Sequence, residues 1–149
     1  FKVSSQSGAV SVGAVQEEVM KAGLLGEMIG IAFQIKDDIF DYFESSELGK
    51  PTGNDMLEGK LTLPALYVLN QTGDDSLKQT ALKIRSLEAS KEEIANFVET
   101  VKEKGGIEYA TRMMYEFRDK ALALVPASAD SSLKEALTAY IDYVIERNK

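Results

Sequence analysis

Apolar residues recur at helical spacing along almost the whole chain, and no convincing strand-type alternation appears. That period constrains the fold more than any other feature, and it predicts an all-α chain. Three prolines, all in or near predicted loops, leave long helices permitted. An N-terminal helical piece rich in small residues spans about Ser5 to Val15, and a long helix follows from Gln16 to Phe43. A polar segment, Glu44 to Lys60, holds Gly49, Pro51, Gly53 and Gly59. Thr62 to Asn70 is helical, with Pro64 in its first turn. Thr72-Gly73-Asp74-Asp75 is a turn, Asp75 is the predicted N-cap, and Ser76 to Arg85 is the next helix. Ser90 and Glu93 form a capping box for a helix reaching Lys104, where Gly105-Gly106 stops it. Ile107 to Leu124 is helical and ends before Pro126; Leu133 to Arg147 closes the chain, with Leu133, Leu137, Ile141 and Val144 on one stripe. There is no internal repeat, and the short connections predict antiparallel neighbours.

Composition then excludes several chemistries. The 149 residues contain no Cys and no His, which rules out disulfides, zinc sites built on those residues, and His, Cys or Ser–His catalysis. Any metal must be held by oxygen, which points to Mg²⁺, Mn²⁺ or Ca²⁺. A net charge of −7 disfavours nonspecific nucleic-acid binding and adsorption to anionic lipid. The most apolar stretch, Leu24 to Phe43, is cut by Glu27, Gln34, Lys36, Asp37, Asp38 and Asp41, so no transmembrane segment is expected. No signal peptide is visible, and the expected location is cytoplasmic. The chain starts at Phe1 rather than Met, so a fragment is expected.

The informative segment is Gly30-Ile-Ala-Phe-Gln-Ile-Lys-Asp-Asp-Ile-Phe-Asp-Tyr42. At helical pitch Gln34, Asp37, Asp38 and Asp41 fall within an arc of roughly 100°. Ile29, Phe33, Ile35, Ile39, Phe40 and Phe43 flank it, so most of this helix seeks burial. Carboxylates on such a helix repel one another and resist low dielectric; bound cations remove both objections. The bland alternative is a solvated acidic face. Gly23, Gly26 and Gly30 lie on or beside the same face, each costing helix stability, and they suit either close approach of a backbone or ligand, or plain helix packing. In the polar segment that follows, Lys50 and Lys60 are placed to close onto a phosphate as mobile charges, although an ordinary solvated loop has the same composition. The order of a P-loop is absent.

The ordered set Phe33-Gln34-x-x-Asp37-Asp38-x-x-Asp41-Tyr42, Gly49-Lys50-Pro51, Gly53-x-Asp55 and Glu58-Gly59-Lys60-x-Thr62-Leu63-Pro64 is similar to the C-terminal signature of trans-type polyprenyl (isoprenyl) diphosphate synthases. Softer similarity runs through Gly8-Ala9, Gly26-x-x-x-Gly30, Gly105-Gly106-Ile107-x-x-Ala110 and Tyr140 to Arg147, so it covers essentially the whole chain. The resemblance implies the C-terminal half of the isoprenoid synthase helical bundle. It implies condensation of an allylic diphosphate with isopentenyl diphosphate, with release of pyrophosphate. Asp37, Asp38 and Asp41 match the second of two aspartate-rich motifs that hold Mg²⁺, with Asp37 as the direct ligand. Lys50 and Lys60 match residues that neutralise the leaving diphosphate, and Phe33 and Gln34 match positions on the isopentenyl side. A homodimer and a medium- or long-chain product of the octaprenyl type are expected. The family's first aspartate-rich motif, its upstream arginines and its Lys–Thr motif are missing, so the N-terminal half is expected to come from elsewhere and this chain alone to be inactive. The alternatives are a regulatory subunit of a heteromeric synthase and a terpene cyclase of the same fold. The Gly-Lys-Pro to Glu-Gly-Lys segment argues against the cyclase.

Overall fold

A computed structural model describes residues 1–43 and 52–147. Among the described residues there are eight helices and no strand: α1 (Lys2–Ser11), α2 (Gln16–Phe40), α3 (Asn54–Leu57), α4 (Leu63–Thr72), α5 (Asp75–Arg85), α6 (Lys91–Glu103), α7 (Gly106–Ala123) and α8 (Ser131–Glu146). The fold is all-α, as the apolar period requires. No helix among the described residues is long and apolar enough to cross a membrane. The described residues form two compact units, residues 1–36 with 113–147, and the described part of residues 37–112.

In the first unit α1 packs on the glycine stripe of α2. A Cβ on Gly26 would stand 2.7 Å from the Phe1 carbonyl oxygen, one on Gly23 would meet the Gln6 side chain at 2.8 Å, and one on Gly30 the Phe1 side chain at 3.3 Å. Close helix packing therefore accounts for all three glycines, and no ligand is needed to explain them. Phe1 also meets the Phe33 ring, with centroids 5.3 Å apart. Val19, Ile29, Ala32 and Ile35 form the buried side of α2. Arg118 of α7 donates to Asp142 of α8 from Nε at 2.7 Å. The last helix starts earlier than its apolar stripe predicts, because Asp130 caps it by accepting the Leu133 N–H at 2.7 Å. Ile141 and Val144 are buried as the stripe requires, whereas Leu133 sits in the exposed first turn.

The second unit is built around Tyr42, Met56, Val68, Ile84, Phe97 and Val101, all essentially inaccessible. Its helices begin where local chemistry allows. Pro64 occupies the first turn of α4, and Gly73 in the left-handed region (φ 59°) ends that helix. The cap of α5 is Asp74, not Asp75: its carboxylate accepts the Ser76 and Leu77 N–H groups at 3.0 and 3.2 Å. The Ser90–Glu93 capping box forms in both directions. Gly105 (φ 79°) separates α6 from α7, and α7 starts at Gly106 itself, pressed against Val101 and the Pro64 carbonyl.

Candidate acidic site at the end of α2

The acidic face belongs to the second unit, and it sits at the end of its helix rather than inside it. The α-helical bonding of α2 ends at Phe40, and the Tyr42 and Phe43 N–H groups turn back to the Ile39 and Phe40 carbonyls at 3.1 Å. This tightened turn places Asp37 and Asp38 in the last helical turn and Asp41 just past it. Tyr42 is fully buried and Ile39 nearly so, and these two anchor the turn in the core. Phe43, expected among the buried flanks, is half exposed beyond the helix end, with the Lys102 ammonium 5.3 Å from its ring centroid.

Asp37, Asp38 and Asp41 are all half-buried. Their charges gather at the negative end of a helix dipole, which adds to their mutual repulsion. Hydrogen-bond donors or cations must offset this. For Asp41 the donors are visible. Its two carboxylate oxygens accept the N–H groups of Asn54 and Asp55, each at 3.0 Å, and its own carbonyl accepts the Gly53 N–H at 2.8 Å. Gly53 adopts φ 77°, and a Cβ there would stand 2.9 Å from the Ile94 side chain. Only glycine meets both demands.

The segment continues through α3 to Lys60. The Lys60 N–H donates to the Asp55 carbonyl at 2.8 Å. Its ammonium lies 2.6 Å from Glu58 Oε2 and 3.8 Å from Asp55 Oδ1, while the side chain stays largely exposed. The Glu58 carboxylate, first by hydrogen bond and then by charge, holds the Lys60 amine above its usual range, so it is cationic at neutral pH. Lys50, with Gly49 and Pro51, lies outside the described residues.

The Tyr42 hydroxyl is buried with no hydrogen-bond partner among the described residues. Burial pushes this phenol well up. Thr62 and the Ala65 backbone are near enough to oppose that shift slightly, but neither meets the geometry of a hydrogen bond. The phenol is therefore neutral near neutral pH.

Phe33 and Gln34 fall in the first unit. Phe33 is half-buried against Phe1, with the Arg147 guanidinium 3.9 Å from its ring centroid, and Gln34 is exposed.

The donor set suits a hard divalent cation, since every candidate ligand is a carboxylate oxygen. Among the described residues no three acidic side chains converge so as to hold an ion. These carboxylates would therefore supply only part of a divalent cation's coordination shell. The sequence reading missed the cap that Asp41 places on α3. The signal for it is Gly53 ahead of Asn54 and Asp55, a helix start with no side-chain acceptor of its own.

Residues 1–101 match the polyprenyl synthetase family. The chain is 34% identical over 142 residues to heptaprenyl diphosphate synthase component 2 of Geobacillus stearothermophilus, covering 93% of this chain and 43% of that protein. Among solved structures it is similar to geranylgeranyl pyrophosphate synthase from Bacteroides thetaiotaomicron, with a TM-score of 0.93 and 53% identity over 99% of this chain and 48% of that one. It is also similar to a polyprenyl synthase from Caulobacter crescentus complexed with calcium and isoprenyl diphosphate, with a TM-score of 0.83 and 29% identity over 100% of this chain and 46% of that one. The chain spans about half the length of the relatives it matches.

Proposed function

The chain belongs to the polyprenyl synthetase family, and from that premise we propose that it supplies one side of the magnesium–diphosphate site of a trans-type prenyltransferase. The reaction is elongation of an allylic diphosphate by isopentenyl diphosphate. The allylic C–O bond breaks and pyrophosphate leaves. The isopentenyl double bond attacks the allylic carbon, and loss of a proton from the adduct restores a double bond. The observation that carries this reading is the placement of Asp37 and Asp38, half-buried at the negative end of α2, in the same unit as a cationic Lys60.

Mg²⁺, with Mn²⁺ as a substitute, supplies electrostatic stabilisation of the leaving diphosphate when bound. The protein's own residues do the rest. Asp37 would be the direct ligand, with Asp38 acting directly or through waters; Asp41, expected as a third ligand, has both carboxylate oxygens on the Asn54 and Asp55 N–H groups. Lys60 and Lys50 bring positive charge to the leaving pyrophosphate, where charge develops in the transition state. Phe33 and Gln34 serve the isopentenyl side, and an apolar surround keeps water from the allylic cation. No side-chain nucleophile is required, which agrees with a chain lacking His and Cys. In this reading the partners are the two diphosphates, the residues forming the opposing aspartate-rich face, and a second copy of the chain, and the location is cytoplasmic. A heteromeric enzyme is the second reading, favoured by one relative's being named a component.

The test uses the full-length protein with Mg²⁺, an allylic diphosphate and labelled isopentenyl diphosphate. Elongated product is expected, and Asp37→Ala should remove most turnover while far-ultraviolet circular dichroism stays unchanged. Undiminished turnover in that variant, with the same Mg²⁺ dependence, would reject Asp37 as a ligand.

A further inference from the structure

We infer that Asp41 is a positioning residue, whose carboxylate caps α3 and so holds the segment carrying Lys60 to the end of the helix carrying Asp37 and Asp38. The inference rests on the metal–diphosphate reading and assigns Asp41 a part within it that differs from ligation.

Three hydrogen bonds join this one residue to the start of α3: Asn54 and Asp55 N–H to the carboxylate, and Gly53 N–H to the carbonyl. The N-cap of α3 is Gly53, which offers no side-chain acceptor. A helix of four residues cannot sustain itself, because nucleation costs more than so few bonds return. Asp41 supplies from outside the acceptor that a Ser, Thr or Asp would otherwise supply at the cap. The two bonds to the carboxylate are charge-assisted, and hence stronger than neutral ones. They also relieve Asp41 itself, which would otherwise hold a negative charge at the negative end of α2.

The far end of α3 passes this constraint on to Lys60. The Asp55 residue whose N–H binds Asp41 also accepts the Lys60 N–H through its carbonyl at 2.8 Å. Gly59, at φ 76°, makes the turn between them, and a Cβ there would meet Leu87 at 3.0 Å. Met56 is buried between these two points. The Lys60 backbone is thus tied to Asp41 through one intervening residue, on a segment whose middle is locked in the core. If Asp41 turned its carboxylate fully to a metal, Asn54 and Asp55 would lose their acceptors and the segment its anchor.

The experiment compares Asp41→Asn, Asp41→Ala and Asp37→Asn in the full-length protein. It reads amide exchange at Asn54 and Asp55, the Mg²⁺ concentration giving half-maximal rate, and kcat. Asp41→Ala should speed exchange at Asn54 and Asp55 by about tenfold, the usual scale for losing a cap, while Val98 and Val101 in α6 stay protected. Asp41→Asn keeps one carbonyl acceptor, so its exchange should fall between wild type and Asp41→Ala. Its kcat should drop with the Mg²⁺ half-saturation unmoved. Asp37→Asn should do the reverse, raising the Mg²⁺ requirement and leaving exchange at Asn54 and Asp55 alone. Protected amides in Asp41→Ala, or a Mg²⁺ shift in Asp41→Asn as large as that in Asp37→Asn, would overturn the assignment. If Asp37→Asn leaves the Mg²⁺ requirement unchanged, the metal reading fails, and the exchange arm still decides whether Asp41 braces the segment.

Discussion

The Lys60 ammonium stands 2.6 Å from the Glu58 carboxylate two residues before it, so the cation assigned to a diphosphate is already paired with the chain's own acid. Binding a diphosphate then means exchanging one anionic partner for another, and Glu58 competes with the ligand. Glu58→Gln should leave the fold intact and tighten pyrophosphate binding to the full-length protein. The pair is exposed to solvent, so the gain should be modest, about threefold, and should shrink as salt is raised. Pyrophosphate inhibition measured at low and high salt checks this. Weaker binding in Glu58→Gln would show that Glu58 orients Lys60 for the ligand rather than competing with it.

A pH-dependent contribution to stability is expected at Glu93. The Lys83 ammonium, 2.6 Å away, and then the Ser90 N–H of the capping box hold its carboxyl at about 2, below the ordinary 4.5. Because the folded value is depressed, the unfolded chain binds the proton more readily between those two values. The contribution is complete above the unfolded value and is lost as pH falls towards 2. Glu93→Gln should therefore melt below wild type at neutral pH, and the gap should narrow as pH falls from about 5 towards 3. A gap that does not change with pH would assign the loss to packing rather than to charge.

Gly106 should tolerate no side chain. A Cβ would stand 2.6 Å from Val101 Cγ1 and 2.9 Å from the backbone oxygens of Pro64 and Val101. Two of the three obstacles are main chain and cannot rotate away. Gly106→Ala should cost about 1–3 kcal/mol, the usual range for overpacking. Gly8 in α1 is the control. Nothing lies within 4 Å of a Cβ there, and Gly8→Ala should stabilise by up to about 1 kcal/mol through helix propensity. Denaturant midpoints of the two variants should move in opposite directions.

What could be read from the sequence follows the range of the interaction that fixes each feature. The Ser90–Glu93 capping box was legible because both partners lie within one turn. The cap of α5 falls one residue earlier than the sequence predicts, at Asp74. Adjacent aspartates offer the same chemistry, and only the left-handed Gly73 decides that Asp74 is the one in extended conformation. The stripe of Gly23, Gly26 and Gly30 is visible in the sequence, but its cause is not, since the Phe1 backbone that meets it belongs to the N-cap of α1. The short α3 has no period to detect, and it exists through the buried Met56 and through an acceptor on Asp41, 13 residues before Asn54. In the candidate site, the order of Asp37, Asp38 and Asp41 was plain, while the commitment of Asp41 to two distant amides and of Lys60 to Glu58 depends on folded geometry.

These 149 residues taken alone should carry out no prenyl transfer, although they should form helices. A diphosphate brings several negative charges, and Asp37, Asp38 and Asp41 add three more to a chain whose net charge is already −7. Lys50 and Lys60 supply two positive charges, and Lys60 is partly neutralised by Glu58. Several divalent ions would be required, yet among the described residues no three acids converge on one ion. Bridging ions need carboxylates on an opposing face to hold them against the phosphates. The same opposing face must exclude water, or the allylic cation is quenched to an alcohol. Exposed Val10, Val12, Val15 and Met20, in α1, the connection after it and α2, would meanwhile favour self-association. Incubating the chain with Mg²⁺, an allylic diphosphate and labelled isopentenyl diphosphate should give no elongated product. Restoring the remainder of the protein should give product under the same conditions. Elongation by the 149 residues alone would show that one aspartate face suffices, and the half-site reading would fall.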